Sequence, residues 1–265
     1  MAKIDYRECY VAFLDILGFK ELIKKSECSD IYNLMDECIS SVDFKVDDVA
    51  DESDITKEYL NSVFSEMTLN LISDSVVMSV PSNKKCSLDV LLFAVCSLVI
   101  GCFNKYEVLF RGGISKGKFF SSNNKVYGPA LNNAYLLESQ NAKAPRIIFT
   151  PELLEDYMKN YFSKNFDILS TAVALDKSDY FQYVDFLFFL LWQGKGNVKT
   201  KEQKEKFEKL VRKFNQKIDD VLLKETNPGI REKYVWLKEY QERTKLKVEE
   251  EQSKHSISSK NGFIV

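Results

Sequence analysis

Histidine is almost missing from this chain. The 265 residues contain one, His255, in a polar stretch near the C-terminus. That scarcity removes a Ser-His-Asp triad, a Cys-His dyad and a histidine general base in the core. The six cysteines, at 9, 28, 38, 86, 96 and 102, form no Cys-x-x-Cys pair, which argues against a zinc site. Several stand in apolar runs, where a thiol is a small core residue, and all six read as reduced and structural. Excess positive charge is lacking as well. The formal net charge of -2 gives no electrostatic case for general nucleic-acid binding. No segment reaches the apolar length of a membrane span, the nearest being residues 88–102 and 186–192, so no membrane insertion is expected. Asp5, Arg7 and Glu8 interrupt the N-terminal stretch, so a signal peptide is not expected and the cytoplasm is the default location. An enzyme with this composition must work through carboxylates, cations and metals.

What is present is ample material for a core, with 45% hydrophobic and 13% aromatic residues. One stretch organises the rest: Tyr10-Val-Ala-Phe-Leu-Asp15-Ile-Leu-Gly18-Phe19. Its uninterrupted apolar run predicts a strand buried on both faces, ending at Asp15. A carboxylate there must be paired, solvated in a cleft or bound to a cation. Alone, Asp15 reads more readily as a helix N-cap or a turn residue.

Residues 19–40 carry the spacing of one or two helices over that strand, and the acidic segment 43–58 reads as an exposed loop. Two β-rich runs within 63–81 flank Ser73-Asp74-Ser75, predicting a hairpin with Asp74 at its tip, an ordinary place for a turn aspartate. Residues 88–106 read as a buried helix, and 108–114 as a strand continued by Phe119 and Phe120. In that strand Gly112, Gly113 and Gly117 allow close backbone approach or positive φ. The segment from Lys125 opens as a loop and becomes a helix, with Pro129 in its first turn. Residues 146–149 form a strand, Thr150-Pro151 a capped helix start, and 180–186 a last strand. From Gly194 the composition shifts to charged periodic helices, 199–223 and 230–248, broken at Asn227-Pro228-Gly229, and 249–260 reads as disordered. The expected division is a domain at 1–195 and a charged helical extension and tail at 196–265.

The order strand, helix, hairpin, helix, strand predicts an α+β fold, an α/β sandwich with a ferredoxin-like βαββαβ core. In that topology the first strand and the strand leaving the hairpin tip are neighbours, so Asp15 and Asp74 lie side by side. Two close carboxylates repel unless cations lie between them. Magnesium or manganese with a phosphate substrate fits that need.

Four stretches, taken in order, resemble the class III nucleotidyl cyclases. Phe13-Leu-Asp15-Ile-Leu-Gly18-Phe19 is similar to their first metal motif and Ile72-Ser-Asp74-Ser-Val-Val-Met to their second metal hairpin. Arg111-Gly-Gly113-Ile-Ser-Lys-Gly117 is similar to their central glycine strand. Gly128-Pro-Ala-Leu-Asn132-Asn-Ala134-Tyr-Leu-Leu-Glu138 is similar to their Gly-x-x-Val-Asn-x-Ala-x-Arg-Leu-Glu helix. The match covers roughly residues 8–150. The wording of the first, third and fourth stretches most resembles the bacterial pyrimidine cyclases of anti-phage defence, which make cyclic UMP or cyclic CMP.

The resemblance implies a homodimer with shared sites, in which Asp15, Asp74 and the Ile16 carbonyl of one chain hold two Mg2+ or Mn2+ ions and Asn132 of the other orients the ribose. It places Gly18 and Phe19 beside the nucleoside triphosphate, and Asn70 and Lys125 at the two positions that read the base. Those two are not the family's purine-reading pair. The family's transition-state arginine falls on Leu136, which leaves Arg111, Lys143 and Arg146 as candidate substitutes. The implied activity is cyclisation of a pyrimidine triphosphate, UTP before CTP. A purine cyclase with an altered base pocket and a non-catalytic nucleotide-binding module are the alternatives.

Overall fold

The computed structural model describes residues 5–42, 55–123, 125–162, 168–196 and 201–261. Tyr10, Val11, Ala12 and Leu14 are buried because they lie in the middle of a sheet. β1 (Arg7–Ile16) pairs antiparallel with β3 (Ser75–Pro81) on one side and β4 (Phe110–Ser122) on the other. β2 (Thr68–Ile72) closes the hairpin with β3, so the first four strands lie in the order β2-β3-β1-β4. That is the antiparallel ferredoxin-like order expected from the sequence. Beyond β4 the sheet continues through β6 (Ile147–Phe149), β8 (Gln182–Val184) and β7 (Val173–Leu175). β5 (Lys125–Tyr127) pairs only with the end of β4, forming an arm.

The two sheet faces are covered differently. Tyr10, Ala12, Leu14 and Ile16 point to the face under α4 (Ser87–Tyr106), against which α2 (Cys28–Ser40) and α3 (Lys57–Ser65) pack. α1 (Phe19–Lys25) leads out of β1 towards α2. Cys9, Val11 and Val77 point to the other face and pack with Phe119 of β4 and Ala130 of α5 (Pro129–Leu136). α6 (Pro151–Asn160) adds Tyr157 against Tyr10, and α7 (Leu169–Ala172) is tied to α4 by the buried Asp89 carboxylate, which accepts from Ile168 N, Leu169 N and the Tyr157 hydroxyl.

α4 differs from the sequence expectation in one respect. Its 20 residues are long and apolar enough to cross a membrane, at about 1.5 Å of rise each. Most of that length is buried inside the fold, where an all-round apolar helix is a core element.

Several other boundaries move. Residues 57–65, within and beside a β-rich run, are helical because Thr56 caps them, its hydroxyl accepting from Tyr59 N at 3.1 Å. Most of the acidic segment 43–58 lies outside the described residues. Lys125 starts a strand, not a loop, and residues 173–175 form an edge strand that the polar residues around them conceal.

The described residues divide by backbone contact between Val184 and Asp185. The second unit holds α8 (Phe186–Gly196), α9 (Lys201–Lys224) and α10 (Pro228–Asn261). Asn227 opens α10, its side-chain oxygen accepting from Gly229 N and Ile230 N. Asp185 is buried but satisfied, taking Phe188 N at 3.1 Å, the Tyr240 hydroxyl at 2.7 Å and Lys247 Nζ at 3.2 Å. α10 runs through 249–260, the stretch expected to be disordered, where Glu249, Glu250, Glu251, Gln252 and Lys254 carry good helix propensity.

Candidate active site

The strand register brings the two aspartates together. Asp15 stands opposite Ser75 on β3, and Asp74 is the residue before it in the β2–β3 turn. The turn is tied to β1 directly, Ile16 N donating to the Asp74 carbonyl at 2.9 Å. Ser73 adopts a left-handed φ of 56°, which makes the turn tight enough for this. Both aspartates are half-buried.

On the other side Asp15 is opposite Arg111 of β4. Arg111 Nε donates to Asp15 Oδ2 at 3.1 Å and lies 2.6 Å from Glu138 Oε1. The single Nε–H points to Asp15, so Glu138 Oε1 receives charge but no hydrogen bond. Glu138 is buried, and burial raises its carboxyl above the ordinary carboxylate range. Arg111 pulls it down, and the negative charges of Asp15 and Asp74 push it up. The three carboxylates and one guanidinium thus form one electrostatic unit.

Glu138 gets there through a break in helix geometry. α5 ends at Leu136 and passes into a π turn over Leu137–Asn141. The same helix lies on β4 with backbone against backbone: a Cβ on Gly113 would collide with the Ala134 carbonyl. Gly113 is therefore the residue that lets α5 and its π turn reach the acid end. Gly18, just after the acid end, has φ of 77°, a conformation that favours glycine and turns the chain from β1 into α1. Phe19 follows it and is buried.

The remaining sequence-derived residues spread outward. Asn132 is exposed on α5, and Leu136 and Tyr135 beside it are exposed at 44% and 50%. Tyr135 also packs edge-on against Phe13 at 5.4 Å, on the sheet face that carries Asp15. Lys143 is exposed just beyond the π turn. Arg146 is corrected: it is buried and ion-paired to Asp176 at 2.6 Å and to Asp179, so it is a structural clamp and no substitute cation. Its partners lie about thirty residues away in sequence, where no local pattern links them to it.

Asn70 lies on β2, and two strands separate it from β4. Its side chain nevertheless meets Ser121 of β4, Nδ2 to Oγ at 3.1 Å. The β4–β5 arm therefore crosses the sheet face. Lys125, exposed, sits on β5 opposite Ser122, next to that crossing. Between the arm (Phe120, Ser121, Ser122) and the sheet (Cys9, Thr68, Ser79) lies a cavity of about 310 Å3. Sequence reading missed Ser121, whose only signal is its place beyond the glycine strand.

The donor set at the acid end is two carboxylates with the Ile16 carbonyl beside them, all hard oxygens. Such a set fits Mg2+ or Mn2+ and not a soft metal. Among the described residues no group of three or more His, Cys, Asp or Glu side chains could hold a metal ion, so a bound cation here would need further oxygens from substrate and water.

No protein-family model and no curated protein matches the sequence. Solved structures similar to it include adenylyl and guanylyl cyclases. A bacterial light-regulated adenylyl cyclase superposes with a TM-score of 0.43 at 15% identity, over 71% of this chain and 97% of that one. The catalytic core of a rhodopsin-guanylyl cyclase with converted specificity, in complex with ATPalphaS, gives 0.41 at 13%, over 68% and 96%. An adenylate/guanylate cyclase/hydrolase from Silicibacter pomeroyi gives 0.38 at 14%, over 68% and 95%.

Proposed function

We propose that this protein is a nucleotidyl cyclase that converts a pyrimidine nucleoside triphosphate, UTP ahead of CTP, into the 3′,5′-cyclic monophosphate and pyrophosphate. We further propose that it works as a homodimer in the cytoplasm and that its product is a second messenger in antiviral defence. The observation that carries the chemistry is the apposition of Asp15 and Asp74 at one end of the central strands, with Arg111 against Asp15. The pyrimidine and defence parts rest on the wording of the stretches around Asp15, Arg111 and Asn132.

Two divalent cations held by Asp15, Asp74 and the Ile16 carbonyl would lower the pKa of the ribose 3′-hydroxyl and neutralise triphosphate charge. The chain's own groups do the rest. Arg111 is tethered through Nε and keeps its two terminal amino groups for phosphate oxygens. Lys143, exposed just beyond the π turn, is the second candidate cation. Gly18 and Phe19 border the substrate. The ribose 3′-oxygen attacks the α-phosphorus in line and pyrophosphate leaves. Asn132, exposed on α5, orients the ribose bound at the partner's carboxylates. The exposed apolar side chains Ile72, Tyr127, Tyr135 and Leu136 support a second copy covering this face.

At the base end, Ser121 can donate or accept, so it satisfies Asn70 whichever way the amide is turned. Asn70 therefore suits uracil and cytosine alike. Lys125 is donor-only and favours uracil, which offers O2 and O4 where cytosine has a donor at N4.

A second reading, a non-catalytic binding module, is favoured by one observation: the position of the family arginine carries the apolar, exposed Leu136. Incubation with each of the four nucleoside triphosphates and Mn2+ separates the readings. Cyclic UMP as the main product is expected. Preferential turnover of ATP or GTP overturns the pyrimidine assignment, and saturable binding with no cyclic product from any of the four leaves the module.

A further inference from the structure

Away from the sheet face with the carboxylates, two helices bring a pair of thiols together. Cys38 of α2 and Cys102 of α4 are fully buried, with their sulfurs 3.5 Å apart in S–H···S contact. Both are free thiols. They are 64 residues apart in sequence, so only the packing of α2 on α4 makes them neighbours.

α2 is lightly held. Of its 13 residues, Leu34 and Cys38 are the only buried ones, and most of the others face solvent. A helix with so small a buried face opens locally far more often than the core. Each opening exposes Cys38 to a small oxidant, and each closing returns its sulfur to Cys102. Either sulfur can be the donor in that contact, and the hydrogen bond with Cys102 holds the Cys38 thiol below the usual range, which favours the thiolate as nucleophile. From 3.5 Å the sulfurs have to close by roughly 1.5 Å to reach the disulfide bond length of about 2.0 Å.

We propose that Cys38 and Cys102 are a modification site: in the presence of a peroxide they form a reversible intramolecular disulfide that staples α2 to α4. The Cys38 sulfur attacks one peroxide oxygen. The O–O bond breaks, one water leaves, and Cys38 becomes a sulfenic acid. The Cys102 sulfur then attacks the Cys38 sulfur, the S–O bond breaks and a second water leaves. Two thiols and one hydrogen peroxide give one disulfide and two waters, a two-electron oxidation. A dithiol reverses it. None of this depends on the chemistry proposed for Asp15 and Asp74.

The test uses the full-length chain, treated with hydrogen peroxide, denatured, alkylated and mapped by mass spectrometry. Cys28, exposed on the first turn of α2, is the internal control for oxidant access. The expected result is simultaneous loss of alkylation at Cys38 and Cys102, a cross-linked peptide pair that joins them, and recovery on addition of dithiothreitol. Amide exchange in α2 should slow by about tenfold in the oxidised protein, because the staple blocks local opening. The Cys38→Ala variant should show neither the cross-link nor the slowing. Cys38 and Cys102 both remaining alkylatable after Cys28 has been oxidised overturns the proposal, as does their oxidation to sulfinic acid with no cross-link.

Discussion

At the carboxyl end of β1 every group is fixed more than once. Asp15 is locked by register to both neighbouring strands and hydrogen-bonded by Arg111, the Asp74 turn is tied to Ile16, and Glu138 is buried behind them. At the arm the arrangement is looser. Asn70 is held by one hydroxyl from across the sheet, and Lys125 stands exposed on a three-residue strand. The difference teaches where each property resides. The acid end is specified by backbone topology and burial, so it tolerates little change. The arm end is specified by a few side chains on an edge hairpin, so it can be rewritten without disturbing the sheet.

The sharpest way to break that comparison is at the acid end. Asp15→Asn or Asp74→Asn should cut turnover roughly a thousandfold, the equivalent of several kcal/mol of transition-state stabilisation, with the melting temperature nearly unchanged. Mixing inactive Asp15→Asn with an Asn132→Ala variant should restore part of the activity, because a mixed dimer holds one intact site. Steady-state assays of each variant and of the mixture check this, and full activity in either aspartate variant refutes the assignment of these carboxylates.

A smaller effect is expected at the arm. Lys125→Gln supplies both a donor and an acceptor where the lysine only donates. It should narrow the UTP-to-CTP preference by a few-fold, an effect kept small by the exposure of Lys125, and leave the metal dependence unchanged. Competition assays at equal nucleotide concentration measure it. An unchanged ratio removes Lys125 from base reading and leaves the acid end untouched.

The smallest effect concerns stability. Burial raises the Glu138 carboxyl in the folded protein, so the folded state holds that proton more tightly than the unfolded chain does. The stabilisation is fully present below the ordinary carboxylate value of 4.5 and is lost as pH rises through the raised folded value. Glu138→Gln cannot lose a proton there. Its urea midpoint should therefore gain on that of the wild type as pH is raised from about 4 to about 7. A gap that moves the other way would mean that the Arg111 ion pair outweighs burial.

Much of this was legible in the residues. The β2-β3-β1-β4 core and the neighbouring positions of Asp15 and Asp74 follow from element order, because a ferredoxin-like topology admits one register for a buried β1. Other features depend on contacts that no local pattern encodes. Arg146 looked like a free cation until Asp176 and Asp179 met it, and Ser121 carries no mark of its hydrogen bond to a strand three places away. The π turn that carries Glu138 inward is set by close packing on β4 and not by helix propensity. Residues 57–58 read as the end of an acidic loop and 63–65 as the start of a β-rich run, yet the helix capped by Thr56 takes in both.

The bare contact at Gly113 has a mechanical meaning. At Gly113 no side chain of the strand stands between it and the helix to act as a cushion, and the Ala134 carbonyl comes directly against it. A displacement of the strand that bears Arg111 is delivered to the helix that bears Asn132 and leads to Glu138 with no slack. The two elements form a stiff linkage, and a methyl group at position 113 would act as a shim. It would lift the helix by its own thickness and misalign the exposed amide and the buried carboxyl together, while every strand pairing beneath stayed as it was.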